Sequence, residues 1–207
     1  MRIAVTRPAG QERELVERLV ALGHEVEHVP LIEIESLGDD VIDGTPYDWV
    51  VLTSTNGARQ LRRRMAGTPR RVAAIGRATA AAFGGADLVP AVSTQEGLLA
   101  ELPSNPGRVL FAAAEGARSL LPDVLGAEVV TLYRTRLLSP TAFTADLVVL
   151  ASPSAARALA ALELRLPVVS IGPETTTAAR ELGLNVVAEA STHDLAGLVA
   201  AVSQADS

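Results

Sequence analysis

Small hydroxyl and glycine residues follow four apolar runs of this sequence, each just before a helical pattern. The pairs are Thr53/Ser54, Gly76/Ala78, Ser152/Ser154 and Gly172/Thr175. An apolar run that leads into such a turn is typical of a buried parallel strand continuing into a helix. The first turn of a helix presents unpaired N–H groups that can bind anions. These turns therefore either bind an anionic ligand or serve only as helix caps, each worth about 1 kcal/mol.

Tyr133 is a further candidate for chemistry, because it is one of only two tyrosines and ends a predicted strand. A buried tyrosine needs a hydrogen-bond partner for its hydroxyl. Tyr133 is therefore either a core residue with such a partner or a residue that faces a ligand. A phenol near its ordinary pKa can donate a hydrogen bond, although it is a modest general acid.

Several common kinds of active site lack their sequence signatures. The chain has no cysteine, and all 18 of its basic residues are arginines, which excludes thiolate and lysine Schiff-base chemistry. The glycine patterns of dinucleotide sites, P-loops and nucleophile elbows are absent. The three histidines, His24, His28 and His193, are dispersed along the chain. We therefore predict no metal and no cofactor.

The composition predicts a folded cytoplasmic protein. Hydrophobic residues make up 48% of the chain and charged residues 20%, which is enough for a packed core. The formal net charge of −6 argues against a nucleic-acid partner. No apolar run reaches the roughly 18 residues of a membrane span, and the amino terminus lacks the apolar segment of a signal peptide. We expect neither a nucleic-acid nor a membrane partner.

An arginine-rich stretch is the one strongly basic feature. It contains Arg59, Arg62, Arg63, Arg64, Arg70 and Arg71. Such runs usually form a solvated helix face, here followed by the lead-in to a strand. Attraction of a polyanion is the alternative.

The elements that must position these residues occur twice. Residues 48–59 and 146–157 share an acidic start, an apolar run, hydroxyl residues and a closing arginine. Each is preceded by a β-α-β unit and a linker, and each continues as β-α-β-α-β-α. This order predicts an α/β fold with doubly wound parallel sheets. The sequence alone leaves open whether each half folds on itself or the halves exchange segments across the linkers.

Finer details of the duplication predict specific element boundaries. We expect one strand over residues 25–35, a short strand over 87–90 and a helix over 118–125. The last helix of each half is expected to open in matching runs, 93–96 and 191–194, with Thr94 as a cap.

The ordered conjunction of motifs resembles the uroporphyrinogen-III synthase family along the whole chain. The motifs are Asp48-x-x-x-x-Thr53-Ser54-x-Asn56, Ile75-Gly76-x-Ala78-Thr79-Ala80, Arg118-x-x-Leu121-x-x-x-Leu125-Gly126 leading to Tyr133-Arg134-Thr135, Ser152-Pro153-Ser154, and Ile171-Gly172-Pro173-x-Thr175-Thr176.

The resemblance implies two similar flavodoxin-like lobes joined by a two-stranded β-ladder linker. Residues 1–35 and 140–207 would form one lobe and residues 46–134 the other. Residues 36–45 and 135–139 would be the linkers.

The resemblance also implies a reaction in haem biosynthesis. A monomeric hydro-lyase would cyclise hydroxymethylbilane, a linear tetrapyrrole with eight carboxylates, to uroporphyrinogen III with inversion of ring D and loss of water. Neither a cofactor nor a metal would be needed. The alternative is a two-lobed anion-binding or regulatory domain of the same fold without catalysis.

By the same resemblance, Tyr133 and Thr175 are the expected catalytic residues. The expected substrate-binding residues are Arg7, Thr53, Ser54, Asn56, Gly76, Arg77, Ala78, Arg118, Ser152, Ser154, Gly172 and Thr176.

Overall fold

The computed structural model describes residues 1–140 and 143–206, which form alternating strands and helices. The strands are β1 (Arg2–Val5), β2 (Glu25–His28), β3 (Ile32–Ser36), β4 (Ile42–Asp43), β5 (Trp49–Leu52), β6 (Met65–Ala66), β7 (Arg71–Ala74), β8 (Val109–Ala114), β9 (Glu128–Leu137), β10 (Leu147–Leu150), β11 (Pro167–Ser170) and β12 (Asn185–Glu189). The helices are α1 (Arg13–Ala21), α2 (Thr55–Arg64), α3 (Arg77–Phe83), α4 (Gln95–Glu101), α5 (Leu120–Leu125), α6 (Pro153–Ala161), α7 (Pro173–Glu181) and α8 (Leu195–Ala205). None of these helices combines the length and apolarity needed to cross a bilayer.

The chain divides into two compact units. The first unit comprises the described residues of Met1–Glu33 and Thr135–Ser207, and the second comprises Ile34–Arg134. One five-stranded sheet has the order β12-β11-β10-β1-β2, and the other has the order β3-β9-β8-β5-β7. The pairs within β12-β11-β10-β1-β2 and within β9-β8-β5-β7 are parallel. The predicted α/β fold with parallel sheets is therefore confirmed.

The sequence duplication reappears in the sheet order. The run β2-β1-β10-β11 in one sheet corresponds to β9-β8-β5-β7 in the other. The repeated acidic residue has the same task in both copies. Asp146 accepts a hydrogen bond from the Arg2 backbone N–H at 2.7 Å, and Asp48 accepts one from the Arg108 backbone N–H at 3.0 Å. Each carboxylate thus ties the start of its strand to the start of the neighbouring strand.

The continuous apolar runs are explained by burial of both sheet faces. Along β10, Leu147 and Val149 pack into one hydrophobic cluster, whereas Val148 and Leu150 pack into another. Along β5 the same alternation divides Trp49 and Val51 from Val50 and Leu52. Successive side chains of a strand point to opposite faces, so a central parallel strand needs apolar residues at every position.

The strand expected over residues 25–35 is wrong as a single element. It forms β2 and β3, which belong to different sheets. Val29 and Leu31 donate backbone hydrogen bonds to Val5 and Thr6. Pro30 lies between these two donors, so its missing N–H is not on the side that pairs with β1. The strand ends because β1 itself ends at Val5, after which the chain enters the other sheet as β3.

Two other predicted boundaries also need correction. The helix expected over 118–125 begins only at Leu120, because residues 115–117 form a turn in which Gly116 has a φ of +70°. The strand expected over 87–90 is reduced to a single bridge between Leu88 and Ala73. Pro90 ends the extended stretch at that point, since it cannot donate to a ladder.

The segment 36–45, expected to be a linker, is held by arginines within the second unit. The buried guanidinium of Arg64 donates to the carbonyl oxygens of Asp40 and Leu37, both at 3.0 Å. Strand β4 in this segment pairs with β6 directly after α2. Arg64 is therefore not part of a solvated helix face, and this part of the arginine prediction was wrong. Residues 135–139 lie in the first unit, where β9 extends to Leu137.

Candidate functional site

The strand ends of the second unit place two predicted turns at one edge of its sheet. Leu52 is in register with Ala74 on β7 and with Ala112 on β8. The turns that start at Thr53 and Gly76 therefore lie side by side at the carboxyl ends of the strands. Ligands bind to open α/β sheets at this edge.

Ser54 joins this turn to Tyr133. Its side-chain oxygen accepts the Gly57 backbone N–H at 2.9 Å, as expected for the N-cap of α2. The same oxygen lies 2.9 Å from the Tyr133 hydroxyl, and either hydroxyl can donate. Gly57 leaves room for this arrangement, because a Cβ there would lie 3.0 Å from Ser54 Oγ and 3.7 Å from the Tyr133 ring.

Tyr133 is a buried, protonated phenol. It exposes 5% of its surface and packs in the core cluster of the second unit. Burial raises its pKa, and the hydrogen bond with Ser54 opposes that rise. Because the charged form is disfavoured, Tyr133 suits hydrogen-bond donation better than release of its proton.

The other predicted residues of the second unit differ in exposure. Thr53 and Asn56 are half-buried at the start of α2, whereas Arg77 and Ala78 are exposed on the first turn of α3. Gly76 begins α3 without a side-chain cap. Arg118 lies before α5, and its guanidinium forms an exposed ion pair with Glu96 at 2.7 Å. Any anion bound by Arg118 would compete with that carboxylate.

The first unit repeats the arrangement with its own residues. Val5 is in register with Val149, and Leu150 with Ser170, so the ends of β1, β10 and β11 share one edge. The predicted residues that follow these strands are Arg7, Ser152, Ser154 and Gly172. Ser152 caps α6 by accepting the Ala155 N–H at 3.2 Å, and Ser154 accepts a hydrogen bond from Arg157. Gly172 begins α7 without a side-chain cap.

The two predicted threonines of α7 are both buried. Thr175 exposes 2% of its surface and Thr176 exposes 4%. The Thr176 hydroxyl donates to the Glu189 carboxylate and lies 2.5 Å from Ser170 Oγ. These bonds tie the first turn of α7 to β11 and β12, so the Thr176 side chain has a structural task that the sequence did not reveal.

Arg7 is positioned by a neighbouring histidine. His28 Nε2 lies 2.9 Å from the Arg7 carbonyl oxygen and 3.8 Å from a carboxylate oxygen of Glu12. An N–H on Nε2 would donate to that carbonyl. The contact fixes the backbone of the segment that carries the Arg7 guanidinium to the sheet edge.

His193 and Ser93 are two residues at these edges that sequence reasoning missed. A Cβ on Gly172 would lie 2.7 Å from His193 Cδ2, and one on Gly76 would lie 3.4 Å from Ser93 Oγ. The two side chains occupy equivalent positions, since each directly precedes the N-cap of the last helix in its half of the sequence, α4 or α8. Those N-caps, Thr94 and Asp194, accept the N–H of Gly97 and Gly197 respectively.

This equivalence corrects the expected match between runs 93–96 and 191–194. Thr94 corresponds to Asp194 rather than to Thr192, because each glycine packs against a carbonyl oxygen two residues before its cap, at Val92 and Thr192. The sequence does carry a sign of this shared contact, because a glycine follows each cap by three residues, Gly97 after Thr94 and Gly197 after Asp194.

The chemistry available at both edges is hydrogen bonding and positive charge. Each edge combines hydroxyls, first-turn backbone N–H groups and an arginine, which suits carboxylate ligands. Among residues 1–140 and 143–206, no group of three or more histidine, aspartate or glutamate side chains has the arrangement of a metal site.

Comparison with known proteins gives one consistent family. The family model described as Uroporphyrinogen-III synthase HemD matches residues 13–200. A Synechococcus elongatus protein named uroporphyrinogen-III synthase is 28% identical over 248 residues, which cover 98% of this chain and 94% of the relative.

Two solved structures share the fold. Uroporphyrinogen-III synthetase from Helicobacter pylori aligns with a TM-score of 0.64 at 18% identity, over 99% of this chain and 100% of its own. A mutant uroporphyrinogen III synthase from Thermus thermophilus aligns with a TM-score of 0.63 at 17% identity, over 99% and 98% of the two chains.

Proposed function

Because the chain belongs to the uroporphyrinogen-III synthase family, we propose that it converts hydroxymethylbilane to uroporphyrinogen III. The reaction closes the linear tetrapyrrole into a ring, inverts ring D and releases one water. The observation that carries this proposal is the match of the family model to residues 13–200. The hydroxyl and arginine groups at the strand ends of both units support it.

Local donors must bind the substrate, because the protein is itself acidic. Its formal net charge is −6, whereas the substrate carries eight carboxylates. We propose that the helix beginnings after Thr53, Ser152 and Gly172 bind carboxylates through backbone N–H groups. Arg7 and Arg77 then supply guanidinium groups at the same sheet edges.

Tyr133 is proposed to assist departure of the substrate hydroxyl by donating a hydrogen bond. The C–O bond breaks, the oxygen leaves as water with a proton from solvent, and the remaining azafulvene carries the positive charge. Burial raises the pKa of Tyr133, so complete proton transfer from it would leave a costly buried phenolate. Ser54 would orient the phenol through the hydrogen bond that joins their oxygens.

The rest of the catalysis is proposed to be conformational. The azafulvene is already reactive, so the protein mainly has to hold the two ends of the chain. The substituted carbon of ring D attacks, forms a spiro intermediate and then reopens inverted. Positioning of reacting groups can supply on the order of 7–11 kcal/mol at best.

We also propose that the two compact units are the two lobes implied by the family resemblance. The strand order β2-β1-β10-β11-β12 supports a flavodoxin-like description of the first, and β9-β8-β5-β7 supports it for the second. The protein is proposed to act as a monomer without a cofactor. Size-exclusion chromatography with light scattering tests the monomer, and a dimeric mass would contradict it.

The function is tested by supplying hydroxymethylbilane and identifying the ring isomers that form. We expect the inverted isomer III to predominate. An anion-binding or regulatory domain of the same fold would instead leave only the uninverted isomer, which arises spontaneously.

The role of Tyr133 is tested by Tyr133→Phe under the same conditions. We expect kcat to fall with little change in KM, because the phenol would act on the leaving group. An unchanged kcat would remove Tyr133 from the mechanism and leave it a structural role only.

A further inference from the structure

A cleft of about 330 Å³ lies at the end of the second unit's sheet opposite to the candidate site. Asp48, Trp49, Arg70 and Arg71 line it, together with the loop before β8 that contains Gly107. These residues stand at the amino ends of β5, β7 and β8, whereas the turns at Thr53 and Gly76 follow the carboxyl ends of β5 and β7. The cleft is therefore separate from the proposed substrate-binding residues of this unit.

Arg71 is held in place by the face of an aromatic ring and not by a carboxylate. Its guanidinium carbon lies 5.5 Å from the centre of the Trp49 ring, and the two residues are direct partners on adjacent strands. Trp49 exposes only 5% of its surface, so it forms a rigid support. Within the part of the chain that the structure describes, Arg71 forms no ion pair with a carboxylate. A guanidinium that is stacked and uncompensated is well suited to bind an anion.

Asp48, the one carboxylate among the described residues that line the cleft, is already engaged. Asp48 accepts the Arg108 backbone N–H at 3.0 Å and lies 3.7 Å from the Arg70 guanidinium. Gly107 packs so closely that a Cβ there would lie 2.2 Å from Asp48 Oδ2. Two guanidinium groups against one fixed carboxylate leave a net positive charge in a protein that is acidic as a whole.

The duplicated half indicates that the fold does not require these residues. In the first unit, Asp146 performs the task of Asp48. The positions that correspond to Trp49, Arg70 and Arg71 there are Leu147, Leu166 and Pro167. The same strand starts are built from apolar residues there, so the parallel pairing of the two strands does not itself require the two arginines.

We propose that this cleft binds a small oxyanion, a phosphate or a carboxylate, through Arg71 with help from Arg70. A planar guanidinium can donate two parallel hydrogen bonds to such a group. The cleft is open to solvent, and its volume of about 330 Å³ accommodates a small anion. The site does not depend on the proposed catalytic function.

The single tryptophan of the chain makes the proposal testable by fluorescence. Trp49 is the only tryptophan in the sequence, so all tryptophan emission comes from a residue that lines the cleft. Inorganic phosphate and, separately, succinate are titrated at constant ionic strength set with sodium chloride. A saturable change with phosphate, with succinate or with both supports an oxyanion site and tells the two ligand chemistries apart. The absence of a saturable change with either anion would overturn it.

Variants test the assignment to Arg71. Arg71→Gln should weaken binding by roughly 10- to 100-fold, the expected effect of losing a charged hydrogen-bond donor. Calorimetric titration provides the dissociation constant for this variant, because loss of the stacked guanidinium also alters Trp49 emission. Arg59→Gln removes an exposed arginine of α2 and should leave binding unchanged. Equal affinity in Arg71→Gln, or equal weakening in both variants, would contradict the proposal.

The same variants distinguish this site from the catalytic one. Arg71→Gln should produce the same ring isomers from hydroxymethylbilane as the wild-type chain. If no saturable anion binding is found but isomer III is still formed, only the proposed anion cleft is rejected. Saturable binding without any isomer III would reject only the proposed function.

Discussion

The hydrogen bond between Ser54 and Tyr133 predicts an unusual pattern of mutant stabilities. Ser54→Ala removes the α2 cap and also leaves the buried Tyr133 hydroxyl without a partner. The lost cap costs about 1 kcal/mol, and the unsatisfied hydroxyl adds about 1–3 kcal/mol. We therefore expect a total destabilisation of roughly 2–4 kcal/mol.

Tyr133→Phe alone should cost less. Ser54 keeps its bond to the Gly57 N–H, so only the interaction between the two hydroxyls is lost, at about 1 kcal/mol. In the Ser54→Ala background, the same substitution removes the unsatisfied hydroxyl. Tyr133→Phe should then be neutral or stabilising, because replacing both partners by apolar groups is nearly neutral.

The assay is urea denaturation of the wild type, the two single variants and the double variant. Unfolding is followed by far-UV circular dichroism, and the free energy of unfolding is obtained by linear extrapolation to zero urea. The comparison requires that all four proteins show the same dependence of this free energy on urea concentration. Ser152→Ala, which removes the equivalent cap of α6, is the matched comparison and should cost only about 1 kcal/mol. Additive effects of Ser54→Ala and Tyr133→Phe would refute the inferred coupling between the two side chains.

Three further predictions concern packing, buried polar contacts and pH. Gly97→Ala should lower the free energy of unfolding by roughly 1–3 kcal/mol or more, because the added Cβ would lie 2.0 Å from the Val92 carbonyl oxygen. Thermal denaturation measures this effect, and a melting temperature equal to that of the wild type would contradict it. Thr176→Val should destabilise by about 1–3 kcal/mol, because Glu189 and Ser170 lose their partner, and an unchanged denaturation midpoint would show that the contact is dispensable. The hydrogen bond from the Gly197 N–H lowers the pKa of Asp194 in the folded protein. The ionised carboxylate therefore stabilises the fold at any pH above the unfolded pKa of about 3.9. This stabilisation is lost as the pH falls through the lower pKa of the folded state. The stability difference between wild type and Asp194→Asn should therefore be constant at neutral pH and change only in acid; a change near pH 7 would be inconsistent with this assignment.

The repeat was the most informative feature of the sequence. The matching runs that begin at Asp48 and Asp146 predicted two similar sets of parallel strands, and the sheet orders agree with that prediction. The signal was strong because central strands buried on both faces require apolar residues at every position. The acidic starts were visible in the sequence, but their bonds to Arg2 and Arg108 were not.

Boundaries that depend on tertiary contacts were predicted less well. The run over residues 25–35 has continuous apolar alternation, yet it is divided between two sheets where β1, the partner of its first part, ends. Arg64 belongs to a run of charged residues, yet it is buried because two carbonyl groups of the segment 36–45 accept its hydrogen bonds. Such tertiary contacts override local patterns and leave no periodic trace in the sequence.

The candidate site was partly accessible from the sequence. Ser54 and Tyr133 were both named as candidates, but their contact joins residues 79 positions apart and required the fold. His193 was considered only as a metal ligand, whereas the structure places it against Gly172 at a sheet edge. Its counterpart Ser93 identifies the position as part of the repeat rather than as a site for metal.

The distribution of ring isomers formed from hydroxymethylbilane is the decisive measurement of the proposed activity. The substrate is generated continuously, and the fraction of isomer III is measured over a series of protein concentrations with heat-denatured protein as the control. We expect the fraction of isomer III to rise with the concentration of native protein until isomer III is nearly the sole product. An isomer I product that is independent of protein concentration would contradict the proposed enzymatic function.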